Sequence, residues 1–285
     1  MVISGRTDLA SEAHSLWRAG AEGTTRLPGV KARQESLEGL DVTAVEILDA
    51  EGAAALRKPP GRYFTLELPA RFDRGSEVFP RAAQAVAALI ARCRSGAEGP
   101  VLIAALGNPD ITPDALGSLA ASDILVTRHL KSGGVPEFQA FASTALCRTG
   151  VLGTTGVESA VQIRMLCQAL RPACVIAVDA LAGADFSRLC RTVQICDSGI
   201  APGSGVGNDR EALDRKSLGV PVIAVGVPTV IDAALLSQDP AAASLFVTPR
   251  SIDSAVRAAG RIIAYGVNLS LHRGLSIADI DLLVG

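Results

Sequence analysis

Short continuous apolar runs, separated by helical patterns, dominate the chain beyond about residue 100. The three clearest runs are VLIAAL (101–106), CVIAV (174–178) and VIAVG (222–226), each followed by turn residues or by an acid. Uniformly apolar strands are typical of a parallel sheet that is covered on both faces. These runs therefore predict the central strands of an α/β sheet.

Weaker patterns complete this picture. Alternating or short apolar stretches predict further strands at 42–48, 63–68, 124–127, 193–196 and 245–247. Apolar periodicity predicts helices at 78–93, 157–170, 185–191 and 252–269. The first forty residues have no clean period, so we expect residues 9–40 to be a loosely attached segment. The whole pattern predicts a single α/β domain with a mostly parallel sheet flanked by helices.

Composition narrows the function classes. The 285 residues are 48% hydrophobic and 20% charged, which suits a compact core, and the net charge of -2 gives no footprint for direct nucleic acid binding. No apolar run is long enough for a membrane helix, and the first ten residues lack the apolar core of a secretory signal. The six cysteines show no C-x-x-C pair and the three histidines no metal-ligand spacing. We therefore expect a cytoplasmic protein without metal or cofactor.

Acidic residues follow two of the predicted central strands. Asp179 comes directly after CVIAV, and the turn after VLIAAL carries Asp110 and Asp114. Ligands of open parallel sheets bind beyond the carboxyl ends of the strands. Two facing carboxyl groups share a proton, so one can activate water while the other protonates a leaving amine. The pattern does not choose between Asp110 and Asp114, and both Asp114 and Asp179 have alternative interpretations as helix-start residues.

A glycine-rich loop, GIAPGSGVGN (199–208), follows the predicted strand 193–196. It lacks the Lys-Ser/Thr ending of a P-loop, so we interpret it as the wall of a cleft. Asp197-Ser198-Gly199 is too short a string to indicate a pepsin-like protease, and the α/β pattern contradicts that fold. We expect the cleft to be lined by Asn108, Asp110, Thr154, Thr155, Glu158, Asp197, Gly203 and Ser204.

Longer strings carry a resemblance to a known family. They are GNPDITPDALG (107–117), VLGTTGVESA (151–160), VIAVDALA (175–182), SGIAPGSGVGN (198–208) and LGVPVIAVGVPTVIDA (218–233). In this order, and over most of the chain, they resemble the germination proteases of spore-forming bacteria. The resemblance implies a fold similar to the hydrogenase maturation proteases. It also implies an aspartic-type endopeptidase whose catalytic acids are Asp114 and Asp179, and we expect Asp179 to be the base.

The same resemblance implies a substrate and a maturation step. The substrates are small acid-soluble proteins that coat spore DNA, which places the enzyme in the forespore or spore core. The resemblance also implies a homo-oligomer, either a tetramer or a dimer. Their cleavage site is similar to Thr/Ile-Glu-Phe/Ile-Ala-Ser/Thr-Glu, cut after the first acid, and residues 7–12 of this chain read TDLASE. The resemblance therefore implies a zymogen that cuts itself between Asp8 and Leu9, leaving a peptidase domain of 9–285.

Three alternatives stay open from the sequence. A maturation-type endopeptidase of the same fold would place a histidine with the acids around a metal. A non-catalytic protein would bind an anionic small ligand through the loop 199–208 and would keep it when Asp179 becomes Asn. A catalytically silent member of the family would serve as a scaffold.

Overall fold

A computed structural model describes residues 7–20, 27–94, 96, 98–204, 207, 210–237, 239, 241–242 and 245–284. The expected pro-segment therefore lies outside the described residues except for its last two positions. The loop 199–208 is described only in part, with 205, 206 and 208 left out.

Nine strands in these residues form one mixed sheet. They are β1 Val30–Leu37, β2 Leu40–Ile47, β3 Gly61–Glu67, β4 Val101–Leu106, β5 Thr144–Gly150, β6 Cys174–Gly183, β7 Thr192–Cys196, β8 Val222–Asp232 and β9 Phe246–Val247. Their order is β1-β2-β3-β7-β8-β6-β4-β5, with β9 beside the far end of β8. Only β8, β6, β4 and β5 run parallel to one another.

The expectation of a mostly parallel sheet is wrong. The strand pairs β1–β2, β2–β3, β3–β7, β7–β8 and β8–β9 are all antiparallel. A parallel neighbour needs a crossover of about a dozen residues or more, usually a helix. The connection 184–191 between β6 and β7 is shorter and holds only a 3-10 turn. The strand β7 therefore runs opposite to β6 and β8, and β3, β2 and β1 continue from it in antiparallel pairs.

Helices cover both faces of the sheet. They are α1 Ala10–Gly20, α2 Ala50–Leu56, α3 Val78–Arg94, α4 Leu116–Ala121, α5 Arg128–Ser132, α6 Leu152–Thr155, α7 Ser159–Leu170, α8 Arg215–Leu218, α9 Ile252–Leu271 and α10 Ile277–Val284. The helices α3 and α9 pack on one face through a large apolar cluster. The opposite face is covered by α7 over β4 and β6, and by α1 and α2 over β2 and β3. Among the described residues, no helix combines the length and apolarity needed to cross a bilayer.

Most of the predicted elements are confirmed, and the strands predicted at 42–48, 63–68, 193–196 and 245–247 correspond to β2, β3, β7 and β9. The three apolar runs form β4 and the first parts of β6 and β8, and helices were found at three of the four predicted places. Residues 124–127 form no strand, and the predicted helix 185–191 is reduced to the 3-10 turn Phe186–Arg188. The strand β5 and the helix α2 were not predicted.

Part of segment 9–40 packs against the sheet, while most of β1 is exposed. Leu9, Ala10 and Ser11 are almost completely buried. The apolar face of α1 packs on a cluster that includes Tyr63 and Cys196. Burial of an apolar helix face explains this attachment, which the mixed composition of the segment does not reveal.

Candidate active site

Asp179 lies on β6, just beyond the point where the neighbouring strand β4 ends. The strand continues to Gly183 instead of ending at Asp179 as expected. The carboxyl group is 4% exposed, and its Oδ1 accepts a hydrogen bond from the Ala180 N–H (3.0 Å). Burial raises the pKa of Asp179 well above its usual range, and the nearby acids Asp114 and Asp8 raise it further. Asp179 is therefore a carboxyl group that favours its protonated form.

Asp114 occupies the 3-10 turn Thr112–Asp114 that follows β4. Its half-buried carboxylate accepts a hydrogen bond from the Asn108 N–H at 2.7 Å. The turn folds tightly over Gly107, where an added Cβ would lie 2.0 Å from the Asp114 carbonyl oxygen and where φ is +92°. Burial raises the pKa of Asp114, while the Asn108 amide and Arg210 oppose that rise. The chain thus holds a second perturbed acid beside the first.

Asp114 and Asp179 face one cleft of about 420 Å³. Asp8, from the N-terminal segment, lines the same cleft together with Gly203 and Arg210. Two carboxyl groups that interact electrostatically in a partly buried cleft ionise at different pH values, so one retains a proton when the other has lost it. The arrangement can therefore supply a base and an acid together.

Asp8 is held in the cleft by backbone and side-chain contacts. Its N–H donates to the carbonyl oxygen of Ala182, and its Oδ2 accepts from the Ala182 N–H, both at 2.8 Å. Its Oδ1 accepts from the hydroxyl of Ser204 at 3.0 Å. Residue 8 therefore lies against the end of β6 with its carboxylate satisfied by two donors.

The residues beside Asp8 are bound as well. Lys58 is half-buried, its pKa is lowered by desolvation, and its Nζ donates to the carbonyl oxygen of Thr7 (3.1 Å). Gln194 donates from Nε2 to the carbonyl oxygen of Asp8 and accepts at Oε1 from the Ala10 N–H, each at 2.7 Å. Neither side chain was singled out from the sequence. A lone glutamine inside the apolar strand β7 was the available signal, because a buried amide needs partners.

Glu12 anchors the other end of this segment. Its carboxylate is 4% exposed and accepts from the backbone N–H groups of Ala184 (2.7 Å) and Asp185 (3.3 Å) and from the Thr7 hydroxyl. Arg188 donates to the hydroxyl of Ser11 and lowers the pKa of Glu12, although burial outweighs this and leaves that pKa raised. Residues 7–12 are thus bound along their whole length.

The other expected cleft residues have different positions. Gly203 and Ser204 lie at the cleft, and Asn108 contributes its N–H to Asp114. Asp110, Thr154 and Thr155 are exposed, Glu158 pairs with Arg210 (3.6 Å), and Asp197 binds Arg62 (2.6 Å). Of the two acids that the pattern left open, Asp114 lines the cleft described above.

The maturation-type alternative requires a group of side chains that could hold a metal ion. In the part of the chain that the structure describes, no three His, Cys, Asp or Glu side chains are grouped so that they could hold a metal ion.

The fold and the cleft define an α/β protein in which Asp8 of the N-terminal segment lines one cleft together with the acids Asp114 and Asp179. The model of the germination protease family matches residues 8–242, and the chain belongs to that family. It is 36% identical to the germination protease of Caldanaerobacter subterraneus subsp. tengcongensis, over all of this chain and 99% of the relative. It is 33% identical to that of Clostridium perfringens strain 13, over 97% of this chain and 98% of the relative. Identity to the Bacillus mycoides germination protease is 39%, over 83% of this chain and 65% of the relative. The protein is accordingly a peptidase of spore germination.

Proposed function

We propose that this protein is an aspartic-type endopeptidase that degrades small acid-soluble, DNA-protecting spore proteins and matures by cutting itself between Asp8 and Leu9. One observation carries the proposal: Asp8 lines the same cleft as Asp114 and Asp179, and hydrogen bonds hold residues 7–12 beside it. The substrate class rests on the resemblance of these residues, TDLASE, to the cleavage sites of those spore proteins.

The chemistry follows from the two perturbed acids. A water oxygen attacks the carbonyl carbon of residue 8 while an ionised carboxylate takes the proton of the water. The C–N bond then breaks, and the amine of Leu9 receives a proton from the neighbouring carboxyl group. No covalent enzyme intermediate forms, because both acids act through proton transfer.

Burial favours one division of roles between the acids. Asp179 is more deeply buried than Asp114, so the shared proton resides preferentially on Asp179. This proposal therefore makes Asp114 the base and Asp179 the acid, which reverses the assignment expected from the sequence. The proton is shared, so pH–rate profiles will report the pair and not either residue alone.

The contacts of Asp8 account for a cut after an acidic residue. The Ala182 N–H and the Ser204 hydroxyl both donate to its carboxylate. Hydrogen bonds to a charged group contribute about 1.5–3 kcal/mol each, so a neutral residue at this position would bind much less well. The same two donors would select an acidic residue before the cut in a substrate protein.

Substitution of the two acids tests the proposal. Wild type, Asp114→Asn and Asp179→Asn are incubated alone and with a purified small acid-soluble spore protein, with and without a chelator. Intact mass spectrometry follows loss of the first eight residues and locates cuts in the substrate. We expect both variants to cleave about 10²–10⁴-fold more slowly, the range associated with a lost general acid or base. Wild-type activity is expected to resist the chelator.

Asp110→Asn is the matched control, since Asp110 is an exposed acid of the same turn. It is expected to cleave at the wild-type rate. Cleavage at the wild-type rate by Asp179→Asn, or a first cut at another bond, would show that the paired acids and the proposed self-cleavage site are wrong.

A further inference from the structure

Gln194 holds both sides of the Asp8–Leu9 peptide bond. It donates to the carbonyl oxygen of Asp8, which precedes the bond, and accepts from the N–H of Ala10, which follows it. Only one orientation of the amide satisfies both contacts, because the NH₂ group only donates and the carbonyl oxygen only accepts. The side chain is 6% exposed, so both contacts are shielded from water.

Strand register places Gln194 on the same face of the sheet as Asp179. Gln194 on β7 pairs with Gly226 on β8, and Gly226 pairs with Asp179 on β6. Registered residues project to the same face and neighbouring strands are about 4.8 Å apart, so the two side chains start roughly 10 Å apart on either side of the glycine. Asp8 lines both the cleft of Asp179 and the adjoining 210 Å³ cavity of Gln194.

Gly226 lies between these two residues in the sheet and is in close contact with Leu181. A Cβ at this position would lie 2.7 Å from the carbonyl oxygen of Asp179 and 2.7 Å from Cγ of Leu181. The Leu181 side chain therefore packs over the bare backbone of Gly226, and Leu181 lines both the cleft of Asp179 and the cavity of Gln194.

We propose that Gln194 is a catalytic residue whose Nε2 stabilises the oxyanion that forms on the carbonyl oxygen of residue 8, and on the equivalent oxygen of a substrate protein. This inference rests on the function proposed above. When the water oxygen bonds to the carbonyl carbon, the π electrons of the C=O bond move onto the oxygen, to which Nε2 already donates. When the C–N bond breaks, that electron pair returns to form the new carboxyl group, and the amine of Leu9 takes up the proton.

A hydrogen bond to this oxygen is stronger in the transition state than in the ground state, because negative charge grows on the acceptor. The second contact of Gln194, to the Ala10 N–H, holds the leaving side of the bond in place. A residue with a binding role alone would stabilise substrate and transition state equally. Loss of such a residue would raise KM and leave kcat unchanged.

Two variants separate these roles. Gln194→Met removes the donor and the acceptor at similar length, and Gln194→Glu keeps an acceptor for Ala10 while removing the donor. The processed chain of each is assayed on a synthetic peptide spanning residues 3–16, and self-cleavage of each full chain is followed by intact mass. We expect kcat and the self-cleavage rate to fall about 10²–10³-fold in both, the cost of removing one oxyanion donor. KM is expected to change by less than about threefold.

Thr65→Val is the matched control. Thr65 pairs with Gln194 across β3 and β7, is 1% exposed, and has an Oγ1 for which the described residues supply no hydrogen-bond partner. Its replacement is expected to leave kcat unchanged. Should Gln194→Met fail to fold, as judged by circular dichroism, Gln194→Glu decides the question.

The outcomes distinguish this inference from the proposed function. Wild-type kcat in a folded Gln194→Glu, or a loss confined to KM, overturns the role of Gln194 and leaves the paired acids in place. A wild-type chain that cleaves neither itself nor the peptide overturns both.

Discussion

At Asp179 the proposed function conflicts with stability. Its pKa in the folded chain is raised above the value of about 3.9 for an exposed aspartate. Between those two values the folded state binds more protons than the unfolded state, so stability falls as the pH rises through that window. The destabilisation caused by burying the ionised carboxylate is fully present above the folded-state pKa and absent below about pH 4.

We expect Asp179→Asn to be more stable than wild type at pH 7–8. The asparagine Oδ1 keeps an acceptor for the Ala180 N–H but carries no charge to bury. A gain of ~1 kcal/mol corresponds to about 2 °C in Tm for a chain of this size. Thermal unfolding between pH 4 and 8 checks this, and the gain should vanish towards pH 4. Asp110→Asn, on the exposed part of the turn, should track wild type at every pH. A variant less stable than wild type at pH 8 contradicts the buried-charge argument.

At the scale of elements, the helix α1 begins only one residue beyond the bond proposed to be cut. Glu12 lies in its first turn and binds the N–H groups of Ala184 and Asp185, in the connection between β6 and β7. These are charge-assisted contacts that hold the leaving side of the bond against the sheet. The helix therefore serves as an anchor for the segment in the cleft.

We expect Glu12→Ala to slow self-cleavage by roughly tenfold or more, since hydrogen bonds to a charged group contribute about 1.5–3 kcal/mol. Amide hydrogen exchange in α1 should become faster in the same variant. Intact mass over time measures the first effect, and exchange mass spectrometry the second. Glu51→Ala removes an exposed acid from the first turn of α2 and should change neither. Unchanged cleavage in Glu12→Ala would mean that α1 is held by its apolar face alone.

Elements with a strong local pattern could be predicted, and elements defined by distant partners could not. VLIAAL and CVIAV are buried on both faces, and their uniformly apolar sequences predict that burial directly. The strand β5 carries Arg148 and threonines, and as an edge strand it has no continuous apolar run. The antiparallel half of the sheet follows from a short connection, 184–191, that was interpreted as a helix.

The same distinction applies to the candidate site. Acids after buried central strands are visible in the sequence itself, so the pattern indicated Asp179 and either Asp110 or Asp114, and the family resemblance selected Asp114. Gln194 and Lys58 are important only because they contact residues 7–10. Gln194 and its partner Ala10 are 184 positions apart in the sequence. Single-sequence patterns contain no information about such pairings.

At the scale of the whole molecule, the segment proposed to be cut and the cleft that Asp8 lines belong to one chain. A tethered segment has an effective concentration in the millimolar range, far above that of a second molecule in dilute solution. The contacts of Asp8 with Ala182, Ser204 and Gln194 also bury the bond within its own cleft. We therefore expect self-cleavage to be intramolecular.

Two measurements check this expectation. The first-order rate constant of wild-type self-cleavage should stay constant when the protein concentration changes by about a hundredfold. A mass-tagged Asp179→Asn chain should remain intact beside excess wild type, because its segment stays docked in a cleft that cannot cut it. A free peptide of residues 3–16 in the same tube should be cleaved, which shows that the wild type can act on other molecules. A cut tagged chain, or a rate that rises with concentration, would mean that the segment leaves its own cleft before the bond is broken. In that case the docked arrangement of residues 7–12 protects the bond and does not present it for cleavage.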